Sequence, residues 1–426
     1  MRISSTMMSG NYLTQLNKTY EQYAKLMEQS DGSKLHRASD DAVGYSKYLR
    51  YQNSVTGNEQ FQSNVSTAIS WMKNSDSTLA NVTDLLETFK EKMTQAGNST
   101  NNTSDMQDIA KGLLASVQEQ VSDMNAQIGD RFLFSGQSDT TMPFHISSEK
   151  RDRGEVKTLD DQQQAFFCGT EGVSTGGNVT QMLKLTNTEG DEYYMNTKTG
   201  DVYTADFVEN GYKDAEEFDP ATQRVGQVAG GITVSDYFDE YGVKTNDLSV
   251  TLDDGSSVKA STTKQYIVEY NGDAKYISMV KKTGGTDQAT DTVNLTGQDV
   301  FGTDLFDCDN KVASGTAILN DLLYAVSKVE AGDYKWAGKD GATIADAAHA
   351  SVLGAETKLA ARQQAYTAAS SMLTTQNETI TGDISDVSST DVAALATKLM
   401  EMQVIYSMSL SVGAKILPGS LADYLS

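Results

Sequence analysis

The strongest constraint on this chain is a run of apolar residues at alternating spacings of three and four. Val65, Ile69, Met72, Leu79, Val82, Leu86, Phe89 and Met93 form the run, broken only where Asp76 stands. That period puts every member on one stripe of a single long helix, and it is the signature of coiled-coil packing. Such a helix cannot bury its own stripe, so it demands partners from elsewhere in the chain. A second stripe follows at once: Met106, Ile109, Leu113, Val117, Val121, Met124 and Ile128. The polar segment Gly97-Asn98-Ser99-Thr100-Asn101-Asn102 between the two reads as a turn, and Asp105 suits the start of the second helix.

Both ends of the chain repeat the theme. Near the N-terminus, Leu13, Leu16, Tyr20, Tyr23 and Met27 line one helical face. In the C-terminal part, Ile318, Leu322, Ala325 and Val329 begin a stripe, and Gly332 to Gly341 reads as a loop. Ala348, Val352, Ala355, Leu359, Arg362, Tyr366, Ala369, Leu373, Gln376, Ile380, Asp383 and Val387 then keep a strict alternation of four and three, with a thinner apolar content. Ser389-Thr390-Asp391 has the form of a helix cap, after which come Val392, Leu395, Leu399, Met402 and Tyr406. Only Pro143, Pro220 and Pro418 interrupt the 426 residues, so the strongest helix breaker is absent from these stretches.

From about 141 to 312 the heptads vanish and short alternating runs replace them. Leu248-Ser249-Val250-Thr251-Leu252, Asp253-Asp254-Gly255 and Val258 form a hairpin pattern with an Asp-Gly turn. Tyr266-Ile267-Val268-Glu269-Tyr270, Asn271-Gly272 and Tyr276-Ile277-Ser278-Met279-Val280 make a second. Tyr193-Tyr194-Met195 and Val202-Tyr203 around Thr199-Gly200-Asp201 make a third. The tyrosines here suit exposed strands. The glycine pairs at 176–177, 230–231 and 284–285 lack a following Lys-Ser/Thr and read as turns, not phosphate cradles.

The fold class these patterns predict is α+β. A long antiparallel helical bundle or coiled coil is built from both chain ends, with an inserted β-rich variable domain. The expected divisions are N-terminal helical segments over 1–140, the β-rich insertion over 141–312, and C-terminal helical segments over 313–426 that pack with 1–140. The long central stripes are expected to pair within one chain. The outermost ones, Leu13 to Met27 and Val392 to Leu421, are expected to wait for other copies. The candidate assembly interface is therefore Leu13, Leu16, Tyr20, Tyr23 and Met27 with Val392, Leu395, Leu399, Met402 and Tyr406.

Charge and chemistry exclude other classes. The formal net charge is -24, which repels nucleic-acid phosphates and anionic membrane surfaces. No run approaches the roughly 20 apolar residues that span a bilayer. No cleavable signal peptide is visible behind Met1-Arg2-Ile3-Ser4-Ser5-Thr6. His36, His145 and His349 stand far apart, with no metal-ligand spacing and no catalytic pattern, so neither an enzyme nor a cofactor is expected. Cys168 and Cys308 are too few for a disulfide scaffold, and the sequence leaves their pairing open. Ser39-Asp40-Asp41 caps a helix start at Ala42, in preference to holding a metal. Arg37 beside it either meets an acidic group on a neighbouring subunit or is solvated.

Three segments carry a family resemblance. Lys34-Leu35-His36-Arg37-Ala38-Ser39-Asp40-Asp41-Ala42-Val43-Gly44 resembles the signature of the flagellin superfamily, with Ala42 where many members have Pro and Val43 where Ala is common. Ile128-Gly129-Asp130-Arg131-Phe132-Leu133-Phe134-Ser135-Gly136, followed by Pro143-Phe144, is similar to the passage from N-terminal helices into the variable domain in the superfamily's hook-filament junction proteins. Met1-Arg2-Ile3-Ser4-Ser5 and Leu421-Ala422-Asp423-Tyr424-Leu425 resemble the two ends of those proteins. The motif positions are Arg37, Ser39, Asp40, Asp41, Gly44, Gly129, Arg131, Phe134 and Gly136. The resemblance covers roughly the first 144 and last 110 residues. It implies an extracellular structural part of the flagellum, exported by the type III channel with a chaperone. It further implies a homo-oligomeric ring between hook-associated protein 1 and flagellin. Filament flagellin, or a secreted adhesin or binding module on a helical stalk, are the alternatives.

Overall fold

The computed structural model describes residues 5–168, 181–196, 199–214, 220–228, 238–239, 242–243, 248–277, 292–301 and 317–416. Cys308, the glycine pairs, Met279-Val280, the first four residues and Leu421 to Leu425 lie outside them. The chain forms two compact units, Met1–Ser63 with Ala369–Ser426, and Asn64–Ala368. The division falls inside two long helices, Ala42–Ala96 and Ala342–Ser388.

In the Asn64–Ala368 unit the central stripes form the core. Val65, Met72, Leu79, Val82, Leu86, Phe89 and Met93 are all fully buried, and Ile69 partly so. The helix Thr103–Met124 turns back against them. Its start is a capping box in which Asn102 accepts from the Asp105 N–H and Asp105 accepts from the Asn102 N–H. Its Ser116 hydroxyl reaches across to donate to the Leu85 carbonyl at 3.1 Å. The buried helix Ala317–Glu330 packs on it from the C-terminal part of the chain. The seam of Ala342–Ser388 is buried at Ala348, Val352, Ala355, Leu359 and Tyr366. Beyond Tyr366 no residue of that helix is fully buried.

The segment 332–341, expected as a loop, is largely helical. Gly332 ends the preceding helix with φ 85°, Asp333 caps a short turn at Tyr334–Trp336, and a π-turn at Ala337–Gly341 leads into the next helix. Glycine makes this packing feasible. A Cβ on Gly97 would stand 2.7 Å from Cα of Gly338, so only bare backbone fits where the two segments pass.

The β-rich part centres on an antiparallel seven-stranded sheet ordered Ser249–Thr251, Ser257–Ala260, Gln181–Thr186, Glu192–Met195, Asp201–Thr204 and Gly226–Gln227, with Val156–Thr158 also pairing to Gln181–Thr186. Two of the expected hairpins form, with Val250 opposite Val258 and Met195 opposite Val202. Among the described residues the Asn271-Gly272 hairpin does not. Val268–Tyr270 pairs instead with Phe144–Ile146. The chain beyond Asn271 is held along 134–138, where the Asp273 N–H donates to the Ser135 carbonyl and the Asp273 carboxylate accepts from the Gln137 N–H. Nor are all the strand tyrosines exposed. Tyr194 and Tyr203 are buried against Phe167, Val208 and Tyr212, because aromatic side chains cover that face of the sheet. Burial raises both phenols well above the usual range.

Two buried ion pairs tie the strands at 151–158 to the C-terminal segments. Arg153 meets Asp321 at 2.9 Å and also donates to the Asn320 carbonyl, with both charged side chains almost inaccessible. Lys157 meets Asp340 at 2.7 Å. Burial pushes the Asp340 carboxyl up, against the pull of Lys157. Glu155 is also desolvated, but Lys328 and Lys184 outweigh that and hold it below the usual range. Pairs this deep do little for net stability, yet breaking one leaves an uncompensated charge.

Candidate functional site

The terminal unit contains all the outermost candidate residues. Its first helix, Ser5–Glu28, has five apolar positions at helical spacing and no proline, and it lies antiparallel to the C-terminal helix Val392–Ile416. Tyr12 donates to the Ser409 carbonyl at 2.6 Å. Tyr23 stacks on Tyr406 with planes 7° apart, and Tyr20 leans on the same ring. Gly413 makes room for the Tyr12 ring, which a Cβ there would strike. Leu395 is buried, and Leu16, Leu399 and Met402 are partly so. Leu13, Met27 and Val392 remain exposed. The outer stripes therefore meet each other within the chain instead of standing unpaired, because each supplies the apolar strip the other lacks.

The joint between the helix pairs of this unit is built from the signature segment. Asp41 caps the helix at Ala42, accepting from the N–H groups of Val43 and Gly44 at 3.0 Å each. A Cβ on Gly44 would come within 2.5 Å of that carboxylate, which explains the glycine. Asp40 accepts from the Arg37 and His36 N–H groups and pairs with Lys25 at 3.2 Å; together these hold its carboxyl below the usual range. Arg37 pairs with Glu28 of its own chain at 2.6 Å. His36 lies 2.8 Å from Asp31, whose hydrogen bond raises the imidazole above its ordinary value. Ser39 is exposed. The C-terminal break lies alongside: the Lys34 N–H donates to Ser388, the Thr390 N–H donates to Gly32, and Asp391 caps the last helix through Ala393 and Ala394. The segments 32–34 and 388–390 are thus fastened together through backbone.

The second motif lies in the other unit. Gly129, at φ 66°, turns the chain between Gln127–Ile128 and Arg131–Phe132. Arg131 pairs with Asp139, and Leu133, Phe134 and Ser135 are buried. Gly136, at φ 75°, backs onto Asp273 so closely that any Cβ would collide with it. This passage is structural, carrying the chain from helix into sheet.

What the terminal pair leaves uncovered differs from the stripe read in the sequence. Met400, Val404, Met408 and Val412 recur every four residues; Met400 and Val404 lie on the side of the C-terminal helix away from Tyr406, and Met408 and Val412 run along the edge that borders Tyr12, Gln15 and Leu16 of the first helix. They are 68%, 51%, 63% and 50% exposed. A helix apolar on two faces is normally covered on both. The fixed spacing of four stands in the sequence beside the inward stripe at 395, 399, 402 and 406. Among the described residues there is no group of His, Cys, Asp or Glu that could hold a metal, and no helix long and apolar enough to cross a membrane.

Residues 3–139 match the model of the bacterial flagellin N-terminal helical region. A flagellin of Salmonella montevideo is 24% identical over 356 residues, covering 72% of this chain and 67% of the relative. Flagellar hook-associated protein 3 of Salmonella typhimurium is 25% identical over 184 residues, covering 42% of this chain and 58% of that protein's length. The crystal structure of flagellar hook-associated protein 3 from Legionella pneumophila aligns over 84% of this chain and 99% of its own, with 13% identity and a TM-score of 0.35.

Proposed function

We propose that this chain, whose N-terminal third is a flagellin-type helical region, is a structural component of the bacterial flagellum that joins hook to filament. The observation that carries the reading is the uncovered apolar stripe Met400-Val404-Met408-Val412 on a terminal helix pair whose facing side chains already meet within the chain. An isolated molecule gains nothing by holding that stripe in water, whereas a neighbouring copy that covers it gains the transfer energy of each side chain.

In this role the chain leaves the cell through the flagellar type III channel with a chaperone. It then assembles as a homo-oligomeric ring between hook-associated protein 1 and flagellin. The terminal unit supplies the contacts between copies, the assembly surface being extended from Leu13, Met27 and Val392 to the 400–412 face. The role is mechanical, not catalytic. Filament flagellin is the second reading, favoured by the longer of the two curated matches. The Gly129–Gly136 passage, which resembles that of the hook-filament junction proteins, weighs against it.

A gold-labelled antibody against the β-rich part tests the reading on intact cells. Label confined to the point where hook meets filament is the expected result. Label along the whole filament makes the chain a flagellin, and absence from the flagellum leaves an adhesin or binding module.

A further inference from the structure

The β-rich unit has a cavity of about 370 Å³ between its sheet and the segment 333–340. It is room for one ring-sized small molecule, at the lower end of ligand pockets. Its aromatic lining is Tyr194, from the strand Glu192–Met195, with Tyr324 and Trp336. The Trp336 ring is fixed edge-on against Tyr324 at 5.2 Å, and its indole N–H is buried with no protein partner.

The charges in the lining are unusual for a chain of net charge -24. Lys157 is neutralised by Asp340, and Lys184 by Glu155 and Glu192. Lys328 is neutralised by Glu155. Lys335 and Lys339 have no ion-pair partner among the described residues, and neither has Glu209, which also lines the cavity. Two ammonium groups without an ion-pair partner therefore stand with two such carboxylates, Glu209 and Asp333, the latter already accepting from the Trp336 backbone N–H, around an aromatic lining.

We infer that this cavity binds an acidic monosaccharide of the uronic or sialic acid class. The ammonium groups of Lys335 and Lys339 take the sugar carboxylate. The carboxylate of Glu209 accepts from ring hydroxyls, and the Trp336 N–H donates to a ring or hydroxyl oxygen. The apolar face of the ring lies on the aromatic side chains. A bare phosphate satisfies the lysines but is repelled by Glu209. A neutral sugar satisfies Glu209 but leaves both lysines unmatched. A ligand that is both anionic and rich in hydroxyls answers the two lysines, the Glu209 carboxylate and the Trp336 N–H together. The site is independent of the assembly role, since it lies wholly in the Asn64–Ala368 unit.

Titrating the full chain with D-glucuronate while following tryptophan emission tests the inference, since Trp71 and Trp336 are the two tryptophans. A saturable change is expected, absent in Trp336→Phe. Affinity should be about tenfold weaker in the double variant Lys335→Ala/Lys339→Ala, the loss that goes with removing charge-assisted contacts. Both lysines are exposed, so this variant keeps its fold, which its melting curve verifies. Galactose and inorganic phosphate should each bind far more weakly than glucuronate. The inference is overturned by the absence of saturable binding or by undiminished affinity in the double variant. Galactose or phosphate binding as tightly as glucuronate overturns it equally.

Discussion

Val404→Asp combined with Met408→Asp abolishes incorporation into the flagellum and leaves the free monomer's melting curve unchanged. Both side chains are more than half exposed, so in the monomer the new carboxylates stay in water. Surface substitutions of this kind change stability by only about 0.5 kcal/mol. On assembly the same positions are covered by another copy. Each carboxylate must then be desolvated without a partner, at a cost of a few kcal/mol in protein contexts. Two such losses repeated in every subunit outweigh the apolar gain of the stripe. Electron microscopy of flagella from cells carrying the variant, with a thermal melt of the purified monomer, checks both halves. Normal filaments growing from the variant would show that this face is not used.

Leu86→Asp has the opposite signature, because it unfolds the protein before assembly is at issue. Leu86 is fully buried in the middle of the longest stripe, between Val82 and Phe89 on the same face. The substitution removes roughly 2–5 kcal/mol of apolar packing and adds the burial of a charge, or of an unpaired neutral carboxyl, worth a few kcal/mol more. For a unit of this size each kcal/mol moves the midpoint by about 2–4 °C, so the Asn64–Ala368 unit should melt some 10–20 °C lower or fail to fold. The loss has a definite pH sign. Burial raises the pKa of the introduced carboxyl in the folded state, so the defect is smallest below the carboxyl's unfolded value and grows as pH rises through its folded value. Calorimetry at several pH values checks this, and an unchanged midpoint would mean that the stripe is not core.

The long stripes were legible because periodicity needs only local spacing. Every member from Val65 to Met93 faces inward, and the thinning seam after Tyr366 is where full burial along Ala342–Ser388 stops. The same is true of helix starts: the carboxylates of Asp41, Asp105 and Asp391 each accept from backbone within a few residues of themselves. What could not be read depends on distant competitors. The C-terminal helix carries two apolar stripes, and spacing alone cannot say which faces inward. That is decided by Tyr12 reaching Ser409, and by Gly413 leaving room for its ring. The Asn271-Gly272 turn has a proper hairpin sequence, but Val268–Tyr270 finds its partner 124 residues earlier, at Phe144–Ile146. The Lys157–Asp340 pair joins residues 183 positions apart, and nothing in either neighbourhood announces it. Arg37, open in sequence between solvent and a neighbouring subunit, is taken by Glu28 of its own chain.

The central claim is that each chain closes its own terminal helix pair and presents the far side of the C-terminal helix to other copies. A photo-cross-linking residue placed at 404, and separately at 406, in the assembled flagellum measures this directly. The account predicts products between copies from position 404. From position 406 it predicts products only within one chain, to the first helix around Tyr20 and Tyr23. Products between copies from position 406, with none from position 404, would contradict it.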